Sequence, residues 1–144
     1  MRVRNLVLFI CTGNFYRSRF AEAVFNHHAE QRGLAWKAFS RGLAIHQAAG
    51  DLSPLTHAAL AARDISLRHT GTGRVSLTEH DLERAQRRIA LDEDEHYRMM
   101  QSQFPRWAGR VEYWQVMDVA LRLPESALPE IESRVLSLVE ELSR

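Results

Sequence analysis

The sequence predicts an α/β sandwich built on a mostly parallel sheet. Two observations carry that expectation. Short apolar runs of strand length alternate along the chain with longer segments of helical periodicity. The first run, residues 3–10, is continuously apolar from Leu6 to Ile10, which suits a strand buried on both faces of a parallel sheet and is short for a helix.

The elements follow in order. Residues 18–32 read as a helix, with Phe20, Val24 and His28 on one stripe, Ala21 and Phe25 beside it, and Gly33 as the stop. Residues 35–41 read as a second strand, and 54–64 as a helix opened by Pro54, which a first turn tolerates. Arg68 to Ser76, with Gly71 and Gly73, reads as a loop. Thr78 caps a short helix running to Ala85, with Asp81 three residues on. Residues 87–91 are the third strand candidate and 111–116 the fourth. Between them, Asp92, Glu93, Asp94 and Glu95 read as the solvated, dipole-favoured first turn of another helix. The last helix puts Leu128, Ile131, Val135, Leu138 and Leu142 on one core-facing stripe. No repeat or linker interrupts residues 1–144, so a single domain is expected.

Composition narrows the function classes. A formal net charge of +1 makes no bulk electrostatic case for nucleic acid or a membrane surface. Arg2 and Arg4 before Leu6–Ile10 have the outline of a secretory signal, but the apolar core is too short and no small-residue cleavage site follows. A lone cysteine, Cys11, allows no internal disulfide and no thiolate-rich metal site, and it fits a reducing compartment. The expectation is a cytoplasmic protein with no metal or other cofactor; nothing in the chain speaks to its oligomeric state.

In a parallel sheet the ligand sits beyond the carboxyl ends of the strands. The residue just past the first run is Cys11, followed by Thr12-Gly13-Asn14-Phe15-Tyr16-Arg17-Ser18 and then a helix. Backbone N–H groups of such a loop converge on one concavity and make a seat for a tetrahedral oxyanion. Gly13 permits close approach or positive φ, and Asn14 tolerates left-handed geometry. Arg17 can fork two donors onto phosphate oxygens. The helix dipole and Arg17 both favour a thiolate at Cys11, placed for in-line attack and a phosphocysteine intermediate. A lone Cys ending a buried strand is ordinarily an inert small hydrophobe. The glycine, asparagine, arginine and serine at fixed positions after it argue for chemistry instead.

The segment Cys-Thr-Gly-Asn-Phe-Tyr-Arg-Ser resembles the signature loop of the low-molecular-weight protein tyrosine phosphatases. Phe20-Ala21-Glu22-Ala23, Ser40-Arg41-Gly42 and Leu77 to Leu82 followed by Ile89-Ala90-Leu91-Asp92 continue the likeness in patches over most of the chain. The resemblance implies a three-layer sandwich with a four-stranded parallel sheet, and metal-free hydrolysis of phosphomonoesters. It implies Cys11 as nucleophile and Arg17 as phosphate clamp. Residues 12–18 would form the phosphate seat, with Asn14 and Ser18 as hydrogen-bonding support, Ser40 buttressing Asn14, and His69 behind them. Asp118 stands where the family's general acid falls, and its partner would be a phosphorylated protein or a small phosphoester.

Several positions depart from the family pattern. Val119 replaces the proline that normally follows the acid, and Ala120, Leu121 and His46 stand where aromatic walls are usual. Phe15 and Tyr16 are candidates for a different wall, and Arg19 stands where the family usually has proline. Two alternatives remain at this point. One is a weakly catalytic phosphate-binding or phosphoprotein-binding module, motivated by Val119. The other is an arsenate reductase, which without further cysteines would need an external thiol. Elsewhere, His27 and His28 read as ordinary helix positions, Arg84, Arg87 and Arg88 as a solvated face, and Trp107, Tyr113 and Trp114 as core or near-core.

Overall fold

A computed structural model of the chain describes residues 5–71, 73–117 and 123–144. Four strands form one sheet: β1 (Asn5–Cys11), β2 (Trp36–Gly42), β3 (Arg87–Ala90) and β4 (Glu112–Tyr113), in the order β2-β1-β3-β4. Every pairing between them is parallel. Five helices accompany them: α1 (Arg17–Gln31), α2 (Pro54–Ala62), α3 (Glu79–Arg84), α4 (Glu93–Gln103) and α5 (Pro124–Leu142).

The alternation of β1 explains the three layers. Val7 and Phe9 point to one face, where Phe20, Val24 and Phe25 of α1 and Ile131, Val135 and Leu138 of α5 cover them. Leu8 and Ile10 point to the other, against Leu82, Met100 and Trp107. All four β1 side chains are fully buried, which is why this strand reads as a continuous apolar run.

The element boundaries differ from expectation in instructive places. β1 runs on to Cys11, which pairs with Gly42, so the cysteine is the last strand residue rather than the first loop residue. The fourth strand is shorter than residues 111–116. Only Glu112 and Tyr113 pair regularly with β3, while Trp114 N–H and Val116 N–H donate to Ala90 and Leu91 carbonyls beyond it. The Thr78 cap forms as a full capping box with Asp81. Arg84 and Arg88 are not simply solvated: their guanidinium groups lie 3.9 Å and 4.7 Å from the ring centroids of Phe39 and Trp107. Arg87 pairs with Glu112 and Glu141.

The chain leaves β1 for β2 on one side, and β3 then pairs on the other. The carboxyl end of β1 is therefore the point where the strand order reverses, and the crevice opens there. Among the described residues no helix is long and apolar enough to cross a membrane.

Candidate active site

Cys11 ends β1 and α1 begins at Arg17, so residues 12–16 bridge a strand end and a helix N-terminus. The bridge is held by its own chemistry. Asn14 takes φ 51°, the left-handed region its side chain tolerates. Close approach is the constraint at two glycines. A Cβ on Gly42 would lie 2.8 Å from the Thr12 carbonyl oxygen, and one on Gly13 would lie 3.0 Å from Ala48 Cβ.

Asn14 is buried and uses its amide fully. Its Oδ1 accepts from Val75 N–H at 2.9 Å, which fixes the orientation of the amide. Its Nδ2 then donates to Ser18 Oγ at 3.1 Å and Ser40 Oγ at 2.9 Å. Each hydroxyl has an acceptor role occupied and its proton free for another partner. Ser40 passes its proton to Glu22 Oε1 at 2.6 Å. Ser18 Oγ lies 2.8 Å from Cys11 Sγ, and donating to the sulfur is the role left to it. A hydroxyl donor at that place gives the sulfur a hydrogen-bond partner within the loop.

Arg17 is buried. Its Nη1 donates to the Val116 carbonyl at 2.8 Å, while Nη2 meets both oxygens of Glu95 at 3.0 Å and 3.1 Å. Glu95 also accepts from Thr12 Oγ1, and His96 Nε2 stands 3.3 Å from it. Burial alone would raise the Glu95 pKa. The His96 hydrogen bond, the Arg17 charge and the Thr12 hydroxyl outweigh it and hold the carboxyl at about 2. The acidic run is thus not uniformly solvated. Glu93 and Asp94 are exposed, but Asp92 is buried, where desolvation raises its pKa, and Glu95 joins the loop.

Glu22 is buried on α1, three residues after Arg19, whose Nε lies 4.0 Å from it. Desolvation raises its pKa; bonds from Ser40 and Thr70 and the Arg19 charge work the other way. Thr70 Oγ1 donates to Glu22 at 2.9 Å and accepts from Arg19 Nε at 2.7 Å. His69 stands one residue off the place expected for it. A 3₁₀ turn ends at His69 and Thr70 continues as extended backbone, so the hydroxyl of Thr70 enters the network. The His69 ring packs edge-on against His27, centroids 5.5 Å apart.

A cavity of about 480 Å³ opens over the loop, floored by Cys11 to Gly13 and Phe15 to Arg17. Gln47, Ala48, Ala49, Ser53, Pro54 and Leu55 wall it. Phe15 and Tyr16 do line it, whereas His46 is exposed outside it. Asp118, with Val119, Ala120 and Leu121, lies outside the described residues. No group of three His, Cys, Asp or Glu among the described residues has the geometry to hold a metal ion.

This geometry has a counterpart in known proteins. The family model described as low molecular weight phosphotyrosine protein phosphatase matches residues 6–143. The chain belongs to that family. Like its other members it is a cysteine-dependent phosphatase. A protein-arginine-phosphatase of Bacillus subtilis (strain 168) is 34% identical over 105 residues, covering 73% of this chain and 67% of the relative. A low molecular weight protein tyrosine phosphatase from T. tengcongensis superposes with a TM-score of 0.81 at 27% identity, covering 95% of this chain and 99% of that one. The arginine phosphatase YwlE, as a Cys-to-Ser mutant with a phosphorylated active-site serine, gives a TM-score of 0.79 at 26% identity, covering 96% of both chains.

Three participants escaped the sequence reading. Glu22 had a visible signal, a lone carboxylate amid Phe20, Ala21, Ala23 and Val24 on a buried helix. Glu95 was hidden in a run that any exposed helix start would show. Thr70 had no signal, because its role depends on how the preceding turn ends.

Proposed function

We propose that the chain hydrolyses phosphomonoesters on protein side chains, phosphotyrosine or a related aryl phosphate, through a phosphocysteine on Cys11. The observation that carries this reading is the Cys11 sulfur at the cavity floor, 2.8 Å from a Ser18 hydroxyl already committed as acceptor to Asn14. The thiolate attacks phosphorus in line and the ester oxygen departs with the bonding pair. Arg17 and the loop N–H groups carry the charge that grows on the equatorial oxygens. Asp118 protonates the leaving oxygen, and water then displaces phosphate from sulfur. The relative whose active-site cysteine is replaced by a serine, and whose serine is phosphorylated, supports a phosphoryl group resting on this position.

A second substrate reading follows from the 34% identical relative named as a protein-arginine-phosphatase. Against it stands the wall of the cavity. Its described lining residues include no Asp or Glu, and Phe15, Ala48, Ala49, Pro54 and Leu55 are apolar. Beside the proposed acid Asp118, a phosphoarginine guanidinium would meet apolar side chains here, against which an aromatic ring would instead bury apolar area.

Cys11→Ser tests the mechanism. It is expected to abolish turnover of an aryl phosphate while retaining orthovanadate binding, because the loop donors and Arg17 remain and only the thiolate is lost. Turnover at the wild-type rate would sink the reading. Comparing kcat/KM on phosphotyrosyl and phosphoarginyl peptides of one sequence decides the substrate.

A further inference from the structure

The cavity wall contributed by residues 45–52 has little of its own to hold it in place. Its regular structure is one 3₁₀ turn, Ile45–Gln47, none of whose residues is buried. At its ends Ala44 N–H donates to the Thr12 carbonyl and Ser53 N–H to the Phe15 carbonyl. Between those ends, among the described residues, the hydrogen bonds tying the segment to other parts of the chain come from two arginines.

Arg19 reaches the segment from inside. It is 2% exposed, and its Nη1 donates to the Asp51 carbonyl at 2.9 Å and the Gly73 carbonyl at 3.2 Å. Its Nη2 donates to the Gly71 carbonyl at 2.5 Å and its Nε to Thr70 Oγ1. Arg74 reaches it from outside, where Nε donates to the Gly50 carbonyl at 2.6 Å and Nη1 to the Ile45 carbonyl. The anchored carbonyls at 45, 50 and 51 bracket Gln47, Ala48 and Ala49, the residues of this segment that line the cavity.

We propose that Arg19 and Arg74 form a two-sided clamp that sets the wall facing the leaving group, and that through their bonds to the 45, 50 and 51 carbonyls they act as positioning residues for substrate. The inference rests on the phosphatase reading above. Its physical basis is the planar fork of arginine, whose five donors can hold several carbonyls at once. A buried guanidinium facing carbonyls and a single carboxylate must keep those partners, since leaving either side unpaired is costly. The proposed phosphate seat, residues 11–18, is held through Asn14, Ser18 and Ser40, and Arg74's bonds to 45 and 50 lie outside that support, whereas Arg19 also reaches the seat through the Asn14 carbonyl at 3.5 Å and through Thr70.

The test uses Arg74→Ala and Arg19→Lys; the lysine keeps the charge beside Glu22 and loses the fork. Arg74→Ala is expected to raise KM for a phosphotyrosyl peptide about tenfold, with kcat and the inhibition constant of orthovanadate within about twofold of wild type. Arg19→Lys is expected to raise KM at least as much and, through Thr70 and the Asn14 carbonyl, to lower kcat as well. Amide hydrogen exchange over residues 45–52 is expected to speed up in both variants, with exchange over β1 unchanged. In Arg74→Ala, an orthovanadate constant that rises in step with KM would place the effect on the phosphate loop and overturn the proposal. Unchanged KM and unchanged exchange would overturn it too. Should Arg19→Lys fail to fold, Arg74→Ala decides the question from the half-buried side. If the wild type hydrolyses no aryl phosphate, the phosphatase reading fails, and hydrogen exchange still decides the clamp.

Discussion

Replacing Glu95 by glutamine removes a charge while leaving an oxygen that can still accept from Arg17 and Thr12. The Glu95 carboxyl is held at about 2 against an ordinary 4.5, a difference worth roughly 3 kcal/mol of folding free energy once it is fully ionised. Its side chain is 28% exposed, so solvent screening trims the expected loss in Glu95→Gln to about 1–2 kcal/mol at neutral pH. The folded-state pKa lies below the unfolded one. The stabilisation is therefore complete above the unfolded value and disappears as pH falls from about 4.5 towards about 2. Urea unfolding of both proteins at neutral pH and at steps down to about pH 3 measures this directly. Taking the difference between the two proteins removes the titration of Asp81, Asp92 and Glu22, which they share. The gap should narrow steadily over that window. A gap as wide near pH 3 as at neutral pH would refute the assignment of a charged Glu95 to Arg17, as would no gap at neutral pH.

Two further outcomes are expected. Asp118→Asn should slow esters with basic leaving groups by about 10²–10⁴-fold and electron-poor aryl phosphates far less, because only a basic oxygen needs its proton in the transition state. Equal losses in kcat/KM on phenyl phosphate and an electron-poor analogue would remove Asp118 from that role. Asn14→Ala deletes three hydrogen bonds, two of them fully buried, and puts alanine at φ 51°, so it should cost about 3–5 kcal/mol in urea unfolding and lower kcat, since Ser18 loses the donor that aims its proton at sulfur. A fully stable and active variant would show that the network does not orient Ser18.

Much of this was legible because it depends on neighbours in sequence. The apolar run of β1, the capping box at Thr78 and the stripe of α5 are written in local periodicity, and each formed close to its expected place. The geometry of the loop after Cys11 was legible for a related reason. Asn14 takes its left-handed turn and Arg17 opens the helix within a few residues of Cys11, so spacing alone constrains them. The fourth strand was overextended because Trp114, half-buried, and Val116, buried, continue the apolar pattern without ladder pairing.

The amino-acid order thus determined a parallel α/β fold with a tight loop, the proposed oxyanion seat, at the end of its first strand. Composition and local spacing suffice for that, since strand burial, helix start and loop curvature are short-range consequences of residue type. Tertiary structure decided which distant charges meet the seat. Glu95 reaches Arg17 across 78 positions, and Arg19 reaches Gly71 and Gly73 across 52 and 54. An acidic helix start or an arginine in a helix looks the same in sequence whether it faces water or a buried carbonyl. Only the packing of α1, α4 and the 45–52 segment around one crevice determines which partner desolvates it, and therefore what it does.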